Sequence, residues 1–393
     1  MSTFSNNKKV KMLQKTVVDN MDYIKQSRSY LSEEELKNKK YGMSYKVYIP
    51  DPGRVYDGLV ANQDGIVETE YEITLKSKGN SCSVDSWDEI VNLEDAPKFQ
   101  KEIIKPRATK LAREIQKDVI DNTIYRSTQA VVTTGNADFD TLSEGAAKLR
   151  EVAVAGDAVS FLSPTTMGKI AAGGLAKFIP DEIQKKIYGK NYLGEYAGAS
   201  QIELLGLPVI TTPASMAATI SLTEEAGHKG LEAVTSVAIT GGVANASIPF
   251  TADGLKIVDV NGVETDQDYV IMADENGKIP ELRISYQGQG FNNPNAWVAS
   301  GTTALTLKPV LATGTKYEVG SVRIADALAF DTYKFNKLAG VEELGIESDG
   351  GVRMEVIKAS NGITRESLIR MDCPYAAGIP EPRQNVTVFV AKK

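Results

Sequence analysis

Between residues 223 and 320 the chain carries a β-rich run that interrupts an α/β pattern still unfinished when the run begins. Gly241-Gly242, Asp253-Gly254, Asn261-Gly262 and Asn276-Gly277 are turn pairs. Between them residues 234–240, 255–260, 269–273, 282–286 and 303–307 alternate as strands. Short strands at near-regular spacing describe a small barrel or sandwich. The interrupted pattern spans residues 138–222. A helix is expected over 141–152 and a short buried strand over 158–162. Ser163 caps a helix over 165–172 with Pro164 in its first turn, and Gly173 and Gly174 end it. Residues 206–213 form a strand bounded by prolines, and strands over 352–358, 367–371 and 386–390 close the chain. The fold class is therefore α+β with an inserted β-module, and 393 residues allow more than one core.

The residues ahead of this body lack cores of their own. Residues 1–44 read as an arm, with Val10, Leu13, Val17, Val18, Met21 and Ile24 at helical steps. Ser32, followed by Glu33, Glu34 and Glu35, has the form of a second helix start. Residues 45–49 and 67–75 alternate at period two around the turn chemistry of 51–58, which describes an extended hairpin needing another surface to lie on. From Pro97 the period becomes helical. Phe99, Ile103, Leu111, Ile115, Val119 and Ile124 keep one face, interrupted at Pro106. At 1.5 Å per residue that is a strut of roughly 30 to 45 Å.

Little chemistry is encoded. The formal net charge of −7 argues against nucleic-acid binding through bulk positive charge. Met1 to Lys15 lacks the apolar stretch of a secretory signal, and no apolar run is long enough for a spanning helix, so a soluble intracellular product is expected. Cys82 and Cys373 cannot build a disulfide framework, and the single histidine, His228, leaves one imidazole base. His228 sits between Glu224-Glu225 and Gly230, the setting of a surface residue at a domain junction. Cys82 lies in a polar run with no second histidine to activate it, and Cys373, before Pro374, is expected to be buried and inert. The acid pairs Glu342-Glu343, Asp266 with Asp268, and Asp274-Glu275 fall in turn-rich stretches, where acids serve solvation. Residues 253–268 lack calcium-loop spacing, and Gly288-Gln-Gly290 lacks the continuation of a phosphate loop. No catalytic, cofactor-binding or metal-binding residue is assigned.

The order of elements resembles the major coat protein of short-tailed phages of the Salmonella type, which shares the capsid fold of tailed phages and herpesviruses. Tyr45 to Pro50 with the excursion to Leu75 is similar to that family's extended loop, and Lys98 to Val132, with Ala112-Arg-Glu114, to its spine helix. Phe161-Leu-Ser-Pro164 resembles the family's Phe-Asn-Pro segment, and Ile202 to Pro213 the strand leading into the inserted domain. Thr303 to Val310 resembles the insertion's last strand. Arg365 to Pro382, with Tyr375-Ala-Ala-Gly378, resembles the closing segment. Residues 321–350 match poorly, and the insertion is shorter than that family's pattern.

The resemblance implies an N-terminal arm (1–44), an extended β-hairpin loop (45–96), a spine helix with peripheral and axial domains (97–222), a small inserted β-barrel (223–320) and a return to the peripheral and axial domains (321–393). It implies a non-enzymatic capsid subunit that assembles with itself as hexamers and pentamers, around a scaffolding protein and beside a portal. The subunit would meet packaged double-stranded DNA non-specifically and no membrane. It would assemble in the host cytoplasm and reside in the virion. A secreted or surface β-rich binding protein is the alternative that the composition leaves open.

Overall fold

The computed structural model describes residues 14–31, 43–50, 68–85, 105–127, 129–133, 137–151, 156–178, 195–196, 198–212, 310–312, 314–333, 342–349, 352–361, 366–381 and 384–392, with strand segments between 218 and 309. Few helices and many strands follow one another. Residues 14–19 of the arm are helical, and the longer helices are α1 (Lys105–Thr123), α2 (Phe139–Glu151) and α3 (Pro164–Phe178). Strands β1 (Ser44–Pro50), β2 (Glu68–Thr74) and β3 (Lys76–Asp85) precede α1, and β4 (Gln129–Val132) follows it. The body continues through β5 (Ala158–Leu162), β6 (Glu195–Tyr196), β7 (Ala199–Glu203) and β8 (Val209–Thr211). Nine strands come next: β9 (Ala218–Ser221), β10 (Leu231–Ala238), β11 (Pro249–Ala252), β12 (Leu255–Val258), β13 (Glu264–Asp268), β14 (Ile271–Met272), β15 (Lys278–Tyr286), β16 (Ala296–Ala299) and β17 (Ala304–Pro309). The chain closes through β18 (Lys316–Ile324), β19 (Ala329–Thr332), β20 (Glu342–Asp349), β21 (Val352–Asn361), β22 (Glu366–Gly378) and β23 (Asn385–Lys392).

The chain divides into two compact units, each discontinuous in sequence. The first holds Met1–Val47, Glu70–Ile120 and Leu328–Pro380; the second holds Tyr48–Thr69, Asp121–Ala327 and Glu381–Lys393. In the first unit, β22 is the organising strand of a five-stranded antiparallel sheet. It pairs with β3 from Glu366 to Tyr375, with β21 from Glu366 to Asp372, and with β19 from Tyr375 to Gly378. β20 completes the order beyond β21. The hairpin base rests on this unit: Tyr45, Val47, Ile73 and Leu75 are buried with Ala329, Tyr333 and Ala376. Expected to lean on another surface, the hairpin finds one in its own chain. A methyl on Gly378 would meet the Tyr71 ring at 2.7 Å, so the ring would have to shift to admit it.

In the second unit, seven strands form a mixed sheet in the order β4-β23-β18-β5-β7-β6, with β8 also on β18. β18 is its centre, pairing with β23 along its length, with β5 at Ser321–Ile324 and with β8 at Lys316–Glu318. One face is covered by α2, whose Leu142, Ala146 and Leu149 are buried with Val131, Val322, Val386 and Val388. Two helix starts follow sequence rules. Asp138 accepts from the Thr141 amide at 3.1 Å while the Thr141 hydroxyl accepts from the Asp138 amide at 3.4 Å, a reciprocal cap for α2. Ser163 accepts from the Thr166 amide at 3.2 Å and caps α3, with Pro164 as its first residue.

Two helical expectations need correction. The segment Lys98 to Val132, likened to the family's spine helix, is helical only as far as Thr123, because Gln129–Val132 takes a place in the sheet, parallel to β23. Pro106 falls in the first turn of α1, where its missing amide costs nothing. Gly173 and Gly174 do not end α3, which continues to Phe178. The proposed second arm helix after Ser32 and residues 51–67 lie outside the described residues.

The chain leaves the second unit's sheet after Thr212 and rejoins it at Thr315. Thr212 N donates to Thr315 O at 3.1 Å and Gly314 N to Thr212 O at 3.1 Å, while β8 and β18 run side by side. Between these points the nine strands fall into a five-stranded order, β10-β15-β16-β12-β13, and a four-stranded order, β14-β11-β17-β9. Each of the five β-runs read from the sequence is overlapped by a strand: β10, β12, β14, β15 and β17 in turn.

Two glycines of opposite character test the packing. A Cβ on Gly320 would lie 2.5 Å from Leu162 Cδ2 and 2.7 Å from the Phe161 carbonyl, a backbone atom that cannot swing aside. Gly168, within α3, has nothing within 4 Å of its Cβ position. Urea denaturation should show Gly320→Ala destabilised by about 1–3 kcal/mol, and Gly168→Ala stabilised by about 0.5–1 kcal/mol.

Candidate functional site

Among the described residues no group of three His, Cys, Asp or Glu side chains is placed to hold a metal ion, and no helix is long and apolar enough to cross a membrane. The informative constellations are clamps, in which a buried polar group fastens a peripheral segment to a sheet.

The first is Asp331 on β19, which is 2% exposed. Its Oδ2 accepts from the Tyr45 hydroxyl at 2.5 Å, and its Oδ1 accepts from the Ser29 hydroxyl at 2.6 Å and the Tyr30 amide at 3.3 Å. Beside it Arg28 N donates to Leu328 O at 2.8 Å and Phe330 N donates to Arg28 O at 3.0 Å, so the arm runs as a short parallel bridge along β19. One carboxylate thus joins arm, hairpin base and sheet. Burial, followed by the Asp331 charge and hydrogen bond, pushes the Tyr45 phenol far above its ordinary range and keeps it a donor.

The second clamp is Asp118 on α1. It accepts from the Tyr375 hydroxyl at 2.7 Å and pairs with Lys76 at 3.3 Å and Lys78 at 3.8 Å. Lys78 also donates to the Glu114 carbonyl at 3.0 Å, and Arg107 to the Ser81 carbonyl at 2.6 Å. These bonds hold the helix against β3 and β22. The arm joins them, since the Tyr23 amide donates to Gln116 Oε1 at 3.2 Å and Gln14 Nε2 to Val352 O at 2.6 Å.

In the second unit the end of α1 is held by side chains of β23. Asn385 Nδ2 donates to the carbonyls of Ile124 and Arg126 at 3.3 and 3.1 Å, and Thr387 donates to Ile124 O at 2.8 Å. These groups fill the role of the missing next helical turn. On the same sheet Arg323 is buried, with its guanidinium 5.0 Å above the Phe161 ring and donating to Ala325 O at 2.7 Å. Glu318 accepts from Thr166 at 2.9 Å and pairs with Lys392 at 2.8 Å near the start of α3. Burial pushes its carboxyl up, but hydrogen bonds from Lys392, Ser163 and Thr166 outweigh this and hold it below the usual range.

The residues singled out from sequence do not converge. His228 and the pair Asp274-Glu275 lie outside the described residues, Asp266 and Asp268 fall on β13, and Glu342-Glu343 open β20. Cys82 is buried in β3, because the polar run around it is a strand laddered to β22. Cys373 is buried as expected, and burial with the neighbouring Asp372 charge pushes its thiol up to about 12. Asp331, Asp118 and Asn385 were missed; isolated polar residues in the sequence give no sign of the partners that fold onto them.

No family model matches this chain, and no curated protein matches it. Among solved structures, the mature capsid of bacteriophage PhiM1 is similar at 10% identity and a TM-score of 0.47, covering 93% of this chain and 86% of that one. The capsid of cyanophage P-SCSP1u is similar at 11% identity and a TM-score of 0.45, covering 93% and 90%. The acid-stable capsid of Helicobacter pylori bacteriophage KHP30 is similar at 10% identity and a TM-score of 0.44, covering 93% and 87%.

Removing the Asp331 carboxylate leaves the buried Tyr45 hydroxyl without its acceptor and takes one of two partners from the exposed Ser29 hydroxyl. Asp331→Ala is expected to cost about 2–5 kcal/mol. Limited proteolysis should then cut the 25–31 segment at least tenfold faster than in the parent protein. Asp372 gives a pH test. Burial raises its carboxyl above the ordinary range against the pull of Arg370, 2.7 Å away. Because the folded state holds the proton more tightly, its contribution is present below the ordinary carboxylate pKa and is lost as pH rises through the raised value. Asp372→Asn should flatten that part of the stability–pH curve and leave the alkaline limb unchanged.

Proposed function

We propose that this protein is the major capsid subunit of a tailed bacteriophage, a structural protein and not an enzyme. The observation that carries the reading is the order of the described elements. A hairpin clamped at its base precedes a helix fastened along a long-stranded sheet, and an α/β body follows with an excursion that leaves and returns on adjacent strands. That is the order of arm, extended loop, spine helix, body and insertion that the sequence shares with the Salmonella-type coat proteins.

In this reading the clamps have a mechanical role. Asp331 and Asp118 fix arm, hairpin base and helix to one sheet, so that neighbouring subunits meet a rigid frame. Subunits associate as hexamers and pentamers around a scaffolding protein, with a portal at one vertex. The excursion between Thr212 and Thr315 is an autonomous β-barrel, and residues 51–67 become an intersubunit element. A chain at −7 gives a wall that does not hold duplex tightly, and this favours movement of packaged DNA.

Sedimentation velocity of the purified full chain, with and without a scaffolding protein, tests the proposal. Closed shells of megadalton mass are expected, in which residues 50–66 are protected from protease and in free subunits are cut. A species that stays monomeric under all assembly conditions, or equal cleavage in both states, would overturn it and favour the β-rich binding protein.

A further inference from the structure

One edge of the first unit's sheet is open among the described residues. β20 pairs with β21 on one side and stands last in the strand order. Its eight residues include Glu342, Glu343, Glu347 and Asp349 and no cation. An open strand of this length presents a row of unpaired backbone groups to any segment that reaches it. Four like charges repel acidic segments and discriminate in favour of a basic one.

The same chain supplies such a segment. Residues 1–13 carry Lys8, Lys9 and Lys11 and no acid. Their point of departure is fixed, because buried Gln14 donates to the Val352 carbonyl at 2.6 Å. Val352 is the cross-strand partner of Asp349, the last residue of β20. The chain therefore joins the described structure at the turn end of the acidic strand. Lys11 lies within about 11 Å of Gln14 along an extended chain. About eight extended residues span the length of β20, roughly 27 Å.

We propose that the basic segment Lys8–Lys11 docks, within its own chain, along the acidic edge strand β20 and closes that edge of the sheet. Attraction between the lysines and the acids of β20 is screened by salt, so docking weakens as ionic strength rises. The inference is independent of the capsid reading, since it concerns one chain in its unassembled state.

Two measurements on the full-length protein at low salt test it. Hydrogen exchange follows the β20 amides that do not bond to β21. Carbodiimide cross-linking, in an equimolar mixture of isotopically light and heavy chains, follows lysine–carboxylate proximity. Slow exchange is expected, rising at least tenfold on deletion of residues 1–12 or in Lys8→Glu/Lys9→Glu/Lys11→Glu. Protection should return when that variant also carries Glu343→Lys/Glu347→Lys. Cross-links should join Lys8, Lys9 or Lys11 to acids of β20 within one isotopic species. Unchanged exchange on deletion, or a charge swap that fails to restore protection, would overturn the proposal. So would cross-links that join light to heavy chains, which would place a second copy on the edge.

Discussion

An ionised carboxylate taken out of water loses several kcal/mol of solvation and keeps its place only if its oxygens are met by donors. Asp331 is such a group, and the way it is satisfied organises the first unit. Its donors come from residues 29–31 of the arm and from Tyr45 at the hairpin base, segments far apart in sequence and without cores of their own. Apolar burial beneath the hairpin, through Tyr45, Ile73, Leu75 and Tyr333, supplies the bulk of the attraction. The carboxylate supplies direction, with one oxygen bonded to the arm and the other to the hairpin base. Asp118 repeats the arrangement for the helix, with Tyr375 from β22 and two lysines from β3 converging on it.

The second unit obeys a related constraint by another route. Its central strand, β18, buries apolar Val322 and Ile324 toward one helix-covered core. Ser321, Arg323, Asn385 and Thr387 are also buried, and these polar groups are bonded to one another or to main-chain carbonyls. Buried polar groups persist when satisfied, and here they stop a helix and start a strand at the same place. Gly320 lets β18 approach β5 closely enough for Arg323 to reach the Phe161 ring. Because β8 and β18 are neighbours, the long excursion between them leaves the sheet continuous.

The sequence made some of this legible and hid the rest for identifiable reasons. The caps of α2 and α3, the strand Ala158–Leu162 and both sides of the hairpin obey local rules of capping and alternation. β3 was hidden because Lys76–Asp85 is polar and glycine-containing; it is a strand through its ten pairings with β22 and its bonds to α1. β18 was hidden because three of its nine residues, Glu318, Ser321 and Arg323, are polar yet buried, which blurs the alternation on which a strand assignment depends. The helical period ends near Ile124, and only the family resemblance carried it to Val132; the place of Val131 and Val132 beside β23 is a long-range fact. The clamps were invisible for the same reason. A lone Asp331 or Asp118 carries no signal until the chain has brought its donors to it.

In the capsid subunit proposed above, these clamps would form the frame, with residues 51–67 left for contacts between copies. An electron cryomicroscopy reconstruction of the particles formed by the full-length protein tests that claim most directly. The account predicts a closed icosahedral shell in which every subunit keeps the Asp331 contacts to Ser29 and Tyr45 and residues 51–67 lie on a neighbouring copy. Discrete monomers or open aggregates, or a shell in which residues 51–67 contact only their own chain, would contradict it.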